Sequence, residues 1–153
     1  MTTTQVSTGG KERQVGQVHI EITVKNLRDE FFASGGYLAA EAVRTETMNH
    51  VLVDTGALSL CLPAEIVARL RLKPVREVQV ETAAGVSTMR ITEPVSLEVM
   101  GRSSPFECLE LPAGAMPLLG AVPMEVLGLQ PDLRNQTLIQ LPDFGPGTYH
   151  MAY

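Results

Sequence analysis

The chain contains no tryptophan and only two cysteines and three histidines among its 153 residues. The histidines, at positions 19, 50 and 150, have no second ligand three or four residues away, so the pattern favours neither a metal site nor a histidine-based catalytic pair. Cys61 and Cys108 lie on apolar segments without metal-ligand spacing, and we expect buried thiols rather than a disulfide. We therefore expect neither a metal nor an organic cofactor.

Positive charge and long apolar runs are also scarce. The net charge is −5, and the densest basic stretch, Arg69 to Arg76, is too sparse to displace counterions from a nucleic-acid backbone. Residues 1–16 are polar and lack the apolar core of a signal peptide or a membrane anchor. We expect a cytoplasmic protein that binds neither nucleic acid nor membrane.

The length and composition are those of one folded domain. Hydrophobic residues make up 44% of the chain and charged residues 19%, which excludes wholesale disorder, and 153 residues can enclose one core. We predict a flexible N-terminal segment over residues 1–16, one folded domain over residues 17–142, and a C-terminal tail over residues 143–153.

Short segments with apolar and polar residues in alternation recur along the chain, which is typical of half-buried strands. We predict a β-rich domain with strands at Val18–Val24, Thr45–Val53, Leu58–Leu62, Val78–Thr82, Val86–Ile91, Val95–Met100 and Phe106–Leu111, the second of which does not alternate but is β-rich and becomes wholly apolar before Asp54. The third and fourth of these are separated by a helical pattern, Ala64–Leu70, in which Ile66 and Leu70 form the buried stripe. Ala83-Ala84-Gly85 forms the tip of a hairpin.

The remaining segments are predicted less directly. Lys25–Gly36 is rich in turn residues and is interpreted as a connection with Phe31 and Phe32 packed beneath it, and Gly101–Pro105 as a turn. Tyr37–Arg44 fits either a helical turn or a strand. A second short helix is predicted at Pro123–Leu127, ended by Gly128.

The most informative motif is Asp54-Thr55-Gly56-Ala57, which follows the apolar run Val51-Leu52-Val53. A strand that ends at this motif presents a carboxylate on a tight loop, and the glycine N–H is free to bond that carboxylate. Far downstream stands Leu118-Leu119-Gly120. An Asx-type turn that merely closes a strand is the structural alternative.

In this order, the motifs resemble the retropepsin-like aspartic proteases, in particular their small bacterial relatives, over about residues 18–141. The resemblance implies an all-β fold, a closed β-barrel with one or two short helices. It also implies an aspartic endopeptidase that hydrolyses peptide bonds. One departure is Leu58, where many members of the family have a small polar residue.

The resemblance implies a role for each matching residue. Asp54 is the expected catalytic carboxylate, Thr55 the hydroxyl of a network between subunits, and Gly56 part of the loop floor. Substrate contacts are expected at Ala57 and at the flap, Ala83, Ala84 and Gly85, and support beneath the loop at Leu118, Leu119 and Gly120.

The chain has one Asp-Thr-Gly, so a mechanism with two carboxylates requires two chains. A homodimer would bring Asp54 against its symmetry mate, the pair would share one proton, and one carboxylate would activate water. Leu138-Ile139-Gln140-Leu141 is the available strand for the dimer sheet. Two alternatives stay open: a non-catalytic dimeric peptide-binding or scaffolding module, and a latent enzyme whose N-terminal segment or tail covers the cleft.

Overall fold

The computed structural model describes residues 17–142, which form mostly β structure with three short helices. The strands are β1 (Val18–Asn26), β2 (Thr45–Val53), β3 (Leu60–Pro63), β4 (Pro74–Thr82), β5 (Gly85–Thr92), β6 (Val95–Val99), β7 (Arg102–Phe106), β8 (Cys108–Leu111), β9 (Leu118–Leu119), β10 (Leu129–Asp132) and β11 (Thr137–Gln140). The helices are α1 (Leu27–Ser34), α2 (Ala64–Arg69) and α3 (Ala121–Leu127), and a single 3-10 turn covers Ala40–Ala42. The predicted segments 1–16 and 143–153 lie outside the described residues.

Nine of the strands form one sheet in the order β4-β5-β8-β3-β9-β2-β1-β6-β7. Strands β4 and β7 are its two ends, and no ladder joins them in the described part of the chain. The protein is therefore mostly β, as predicted, but the closed barrel is not confirmed. Strands β10 and β11 form a separate two-stranded ribbon.

Strands β1 and β2 confirm two of the predicted strands, the alternating segment Val18–Val24 and the β-rich run Thr45–Val53. They pair in antiparallel register from Val18 opposite Val53 to Lys25 opposite Thr45. Their apolar side chains alternate into one continuous core, to which α2, α3, β3, β6 and the β10–β11 ribbon also contribute. The largest fully buried side chains are Ile22, Leu60, Leu62, Leu70, Leu97, Leu119 and Leu127.

The helices α2 and α3 confirm the two predicted helical segments. Ile66 and Leu70 are both buried, and α3 ends at Gly128 in the left-handed conformation, with φ 66° and ψ 44°. In the part of the chain that the structure describes, none of the helices has the length and apolar character needed to cross a membrane.

Helix α1 contradicts the predicted connection at Lys25–Gly36 and exceeds the one or two helices expected. The side chain of Asn26 caps it by accepting the backbone N–H of Asp29 at 3.0 Å, which satisfies one of the free donors at the helix start. Phe31 and Phe32 do not pack beneath the segment, because they are 66% and 50% exposed. Polar contacts hold this helix instead: buried Asp29 accepts the backbone N–H of Arg44 at 3.0 Å.

The predicted turn at Gly101–Pro105 is also wrong. The turn consists of Met100 and Gly101 alone, with φ of 52° and 81°. Two positive φ values match the right-handed twist of the flanking strands, so the chain reverses in two residues. Residues 102–106 then continue as β7, which pairs with β6, and β8 begins only at Cys108.

Candidate active site

The Asp54 loop begins where β2 ends, next to strands β9 and β3. Strand β9 lies parallel to β2, with Leu118 opposite Leu52 and Leu119 opposite Val53. The same strand pairs in antiparallel register with β3, which follows the loop. The two-residue strand β9 therefore lies between the strand that enters the loop and the strand that leaves it.

Backbone hydrogen bonds fix the loop at both ends. The N–H of Asp54 donates to the carbonyl of Leu119 at 3.0 Å, and the N–H of Ala57 donates to the carbonyl of Asp54 at 3.1 Å. The N–H of Gly56 donates to Oδ1 of the Asp54 side chain at 2.9 Å. The carboxylate is thus oriented by its own loop, while the side chain stays half-buried and Thr55 is exposed.

Gly120 packs directly against the backbone that follows the loop, and there is no room for a side chain at this position. A Cβ at this position would lie 2.5 Å from the carbonyl oxygen of Ser59 and 2.6 Å from the carbonyl carbon of Leu58. Both are backbone atoms and have little freedom to move. The glycine of the Leu-Leu-Gly motif therefore permits β9 to pass directly against the chain that leaves the loop.

Helix α3 continues from this contact and supports the far side of the loop. The N–H of Ala121 donates to the carbonyl of Ala57 at 2.8 Å, and the N–H of Val122 donates to the carbonyl of Leu58 at 3.0 Å. Two donors that the first turn of a helix leaves free are satisfied in this way. The loop is consequently held by β2, β9 and α3 together.

Asp54 and Thr55 line an open cleft of about 360 Å³. Its other lining residues are Gln17, Val18, Leu52, Val53, Pro131 and Leu133. Four of these eight residues belong to β2 and its loop, whereas Pro131 and Leu133 come from the β10–β11 ribbon. Neither ribbon residue stands in a recognisable sequence motif, so neither was predicted to line the site.

The predicted flap residues lie elsewhere. Ala83 and Ala84 form the tip between β4 and β5, followed by Gly85 with a φ of 115°. The three residues are exposed, and none of them lines the Asp54 cleft. In the described residues the structure thus brings together the loop and the Leu-Leu-Gly support, and leaves the hairpin tip apart from both.

Cys61 on β3 and Cys108 on β8 are both free and buried, as expected. Burial, and then the negative charge of Asp54, raise the pKa of Cys61 to about 11. Burial raises the pKa of Cys108 to about 12. Neither thiol is therefore a nucleophile at neutral pH, because the thiolate is the reactive form.

Asp54 is the acidic side chain of this cleft. Among residues 17–142 there is no group of three or more His, Cys, Asp or Glu side chains placed to hold a metal ion. On a rigid loop, an ionised carboxylate can take a proton from water, and a protonated one can give its proton to a reacting oxygen. The arrangement suits general acid–base chemistry.

Comparison with known protein families agrees with this chemistry. A model of the aspartyl protease family matches residues 44–130, more than half of the chain, including the Asp54 loop, the β4–β5 hairpin and the Leu-Leu-Gly motif. The chain belongs to the aspartyl protease family. The resemblance seen in the sequence is thereby confirmed.

The chain is also similar to a solved structure of EIAV protease complexed with the inhibitor HBY-793. The two share 20% sequence identity, and the match covers 80% of this chain and 95% of that one, with a TM-score of 0.47. The search of curated proteins found no match.

Proposed function

We propose that the protein is an aspartic endopeptidase that hydrolyses peptide bonds as a homodimer, with Asp54 as its catalytic residue. The observation that carries the proposal is the Asp54 carboxylate, oriented by the Gly56 N–H at 2.9 Å and directed by a loop that three elements hold in place. Membership of the aspartyl protease family supports the same reaction.

The homodimer follows from the single Asp-Thr-Gly loop of the chain. Two other aspartates of the described residues are engaged elsewhere: Asp29 is buried and bonded to Arg44, and Asp132 bonds to Asn135. A two-carboxylate mechanism therefore takes its second Asp54 from a second copy. A two-fold axis between the loops brings identical carboxylates together.

Exposed apolar side chains next to the loop and on the ribbon support this assembly. Leu58, four residues after Asp54, is 71% exposed, and Ile139 and Leu141 on and after β11 are also exposed. Strand β11 pairs with β10 on one edge, and the sheet ends there in the described part of the chain. Its other edge is available to a strand of a second copy.

Two carboxylates a few ångströms apart cannot both ionise cheaply, so the pair shares one proton. The ionised carboxylate takes a proton from water as the water oxygen attacks the scissile carbonyl carbon. The protonated carboxylate donates to the carbonyl oxygen, and the resulting tetrahedral intermediate expels the amine when its nitrogen is protonated. No metal takes part in these steps.

The substrate is an extended polypeptide that lies across the loop. We assign its contacts to Ala57 on the loop side and to Ala83, Ala84 and Gly85 on the hairpin. Small side chains at the hairpin tip leave backbone groups accessible, and an extended peptide bonds to such groups through its own backbone. The hairpin tip must then approach the cleft when a substrate binds.

The proposal is tested by incubating a diverse peptide mixture with wild type and with Asp54→Asn across acid to neutral pH. We expect cuts, identified by mass spectrometry, with wild type alone, because the amide cannot take up or share the proton. Glu98→Gln makes the same carboxylate-to-amide change at an exposed position of β6 and should leave the cuts unchanged. Equal cleavage by Asp54→Asn contradicts the proposal, and a dimer without cuts favours the binding module.

A further inference from the structure

Arg102 lies at the start of β7 and binds three backbone carbonyls that belong to other parts of the chain. Its Nη1 donates to the carbonyls of Leu127 at 3.0 Å and Gly128 at 2.8 Å. Its Nη2 donates to the carbonyl of Leu141 at 2.7 Å. Hydrogen bonds from a charged donor are the stronger ones in proteins, and a guanidinium can direct several donors in one plane.

The three carbonyls mark the end of α3 and both ends of the β10–β11 ribbon. Leu127 is the last residue of α3, Gly128 precedes β10, and Leu141 follows β11. The N–H of Leu141 also donates to the carbonyl of Gly128 at 2.8 Å. A second bond from the same hairpin supports the contact, since Nε2 of Gln140 donates to the carbonyl of Met100 at 2.7 Å.

The ribbon connects this contact to the Asp54 cleft. Pro131 on β10 and Leu133 just beyond it line the cleft with Asp54 and Thr55. The ribbon has only two strands, and a two-stranded hairpin is marginally stable by itself. Leu129 and Leu138 pack into the core, and the position of the ribbon over the cleft also depends on the hydrogen bonds at its base.

Helix α3 gives a second connection. Its first turn bonds to the carbonyls of Ala57 and Leu58 in the active loop, and its last residue bonds to Arg102. The helix is seven residues long, which corresponds to about 10 Å. The guanidinium thus lies one short helix away from the loop, at the point where the ribbon begins.

We infer that Arg102 is a positioning residue for the active site, which sets the β10–β11 ribbon as a wall of the substrate cleft. The inference deepens the proposed function and rests on it for the identity of the substrate, an extended polypeptide. Arg102 does not touch the reacting atoms. Its loss should therefore weaken substrate binding while the chemical step at Asp54 is preserved.

The test measures cleavage of fluorescein-labelled casein, an extended polypeptide, by the full chain at enzyme concentrations where activity per chain is constant. Arg102→Gln should raise KM roughly tenfold and change kcat by less than about twofold, because a lost charged hydrogen bond affects substrate binding and leaves the pair of Asp54 carboxylates in place. Arg102→Lys keeps the charge but cannot span three carbonyls, so its KM should rise as well. Arg69→Gln is the matched control, because Arg69 is an exposed arginine that pairs with Glu46; its KM should match wild type.

A KM that stays within twofold of wild type in Arg102→Gln overturns the inference. So does a wild-type KM in Arg102→Lys, since the fork geometry would then be irrelevant. A lower thermal midpoint with an unchanged KM likewise overturns it, because that result describes a purely structural arginine.

Binding measured in the Asp54→Asn background separates this inference from the proposed function. Fluorescence anisotropy of the labelled casein gives a Kd without any cleavage, and adding Arg102→Gln should raise that Kd by the same factor as the KM. If wild type cleaves nothing, the proposed catalysis fails, and a raised Kd still supports the role of Arg102. If wild type cleaves casein and the Kd is unchanged, or if the Asp54→Asn chain does not bind casein, the inference fails.

Discussion

The Asp54 loop and the β4–β5 hairpin are attached to the fold in very different ways. The loop is bonded to β9 and α3 and lies over a glycine that backbone atoms surround. The two strands of the hairpin are nine and eight residues long. Their backbone nevertheless pairs with the rest of the sheet at a single position, Ile91 opposite Leu109. Most of its side chains are exposed, among them Val75 and Val86.

The difference separates two requirements of a peptidase. A reacting carboxylate must be held within a few tenths of an ångström, whereas a cover must move to admit an extended chain. The many backbone bonds of the loop serve the first requirement. The hairpin joins the sheet at one ladder position and otherwise through side-chain contacts such as the pair of Arg90 with Glu110, which suits the second. Changes at the two places should therefore affect different properties.

The largest effect is expected from adding one methyl group at Gly120. Its φ of −88° suits any residue, so the cost of Gly120→Ala comes entirely from the backbone atoms of Ser59 and Leu58. We expect a loss of about 3 kcal/mol or more in the free energy of unfolding, measured by urea denaturation, and a loss of activity. A variant as stable as wild type would contradict the described packing beneath the loop.

Gly85→Ala is the matched change in the hairpin. Nothing lies within 4 Å of a Cβ there, and the cost comes only from the φ of 115°. We expect a smaller loss, about 1–2 kcal/mol, and a change in activity through the hairpin tip. If Gly85→Ala destabilised the protein more than Gly120→Ala, the contrast between loop and hairpin would be wrong.

A smaller, pH-dependent effect is expected at the base of the hairpin, where Glu93 joins it to α1. Its carboxylate accepts Nη2 of Arg28 at 2.7 Å and the backbone N–H of Lys73 at 2.9 Å. Burial by itself raises the pKa of Glu93, but these bonds outweigh it and hold the pKa below its ordinary value of 4.5. A lowered pKa in the folded state means that Glu93 contributes stability above that ordinary value, and that this contribution is lost as the pH falls further through the folded-state pKa.

The measurement is urea unfolding of wild type and Glu93→Gln from about pH 6 to pH 3, the range around and below the ordinary value for Glu. Wild type should lose stability more steeply at the acid end, because the variant has no carboxylate to protonate at this position. Parallel curves would show that Glu93 does not link the hairpin to α1 in solution.

The smallest expected effect is a change in the reactivity of the Cys61 thiol, which senses the charge of Asp54. Burial and the charge of Asp54 raise the pKa of Cys61 to about 11, so alkylation at pH 9 should be slow in the folded protein. Asp54→Asn removes the negative charge and should make Cys61 react faster. Cys108, whose pKa is raised to about 12 mainly by burial, is the internal control and should not respond. Equal changes at both thiols, mapped by mass spectrometry, would indicate loosened packing instead.

Much of the strand pattern was predictable because its physical causes are local. Alternation identified β1, a β-rich run that becomes wholly apolar before Asp54 identified β2, and Gly128 identified the end of α3. Helix α1 was not predicted, because its buried residue is Asp29 and its phenylalanines are exposed. The helix therefore has no apolar stripe, and polar partners distant in the sequence support it. The ribbon's part in the cleft had no local signal, because Pro131 and Leu133 reach Asp54 only through the tertiary fold.

Other expectations stay predictions. These are the division of the chain at residues 17 and 142, the cytoplasmic location, the closed barrel and the roles assigned to the site residues. The roles depend on a second copy of the chain, whose arrangement a single chain does not contain.

The most direct test of the central claim mixes wild type with increasing amounts of Asp54→Asn under conditions that allow subunits to exchange. If each active site takes one Asp54 from each of two chains, an equal mixture should retain about half of the activity per wild-type chain, and a larger excess of the variant should reduce it further. Glu98→Gln, mixed in the same way, should not reduce it. Activity per wild-type chain that stays constant as Asp54→Asn is added would contradict a site shared between two subunits.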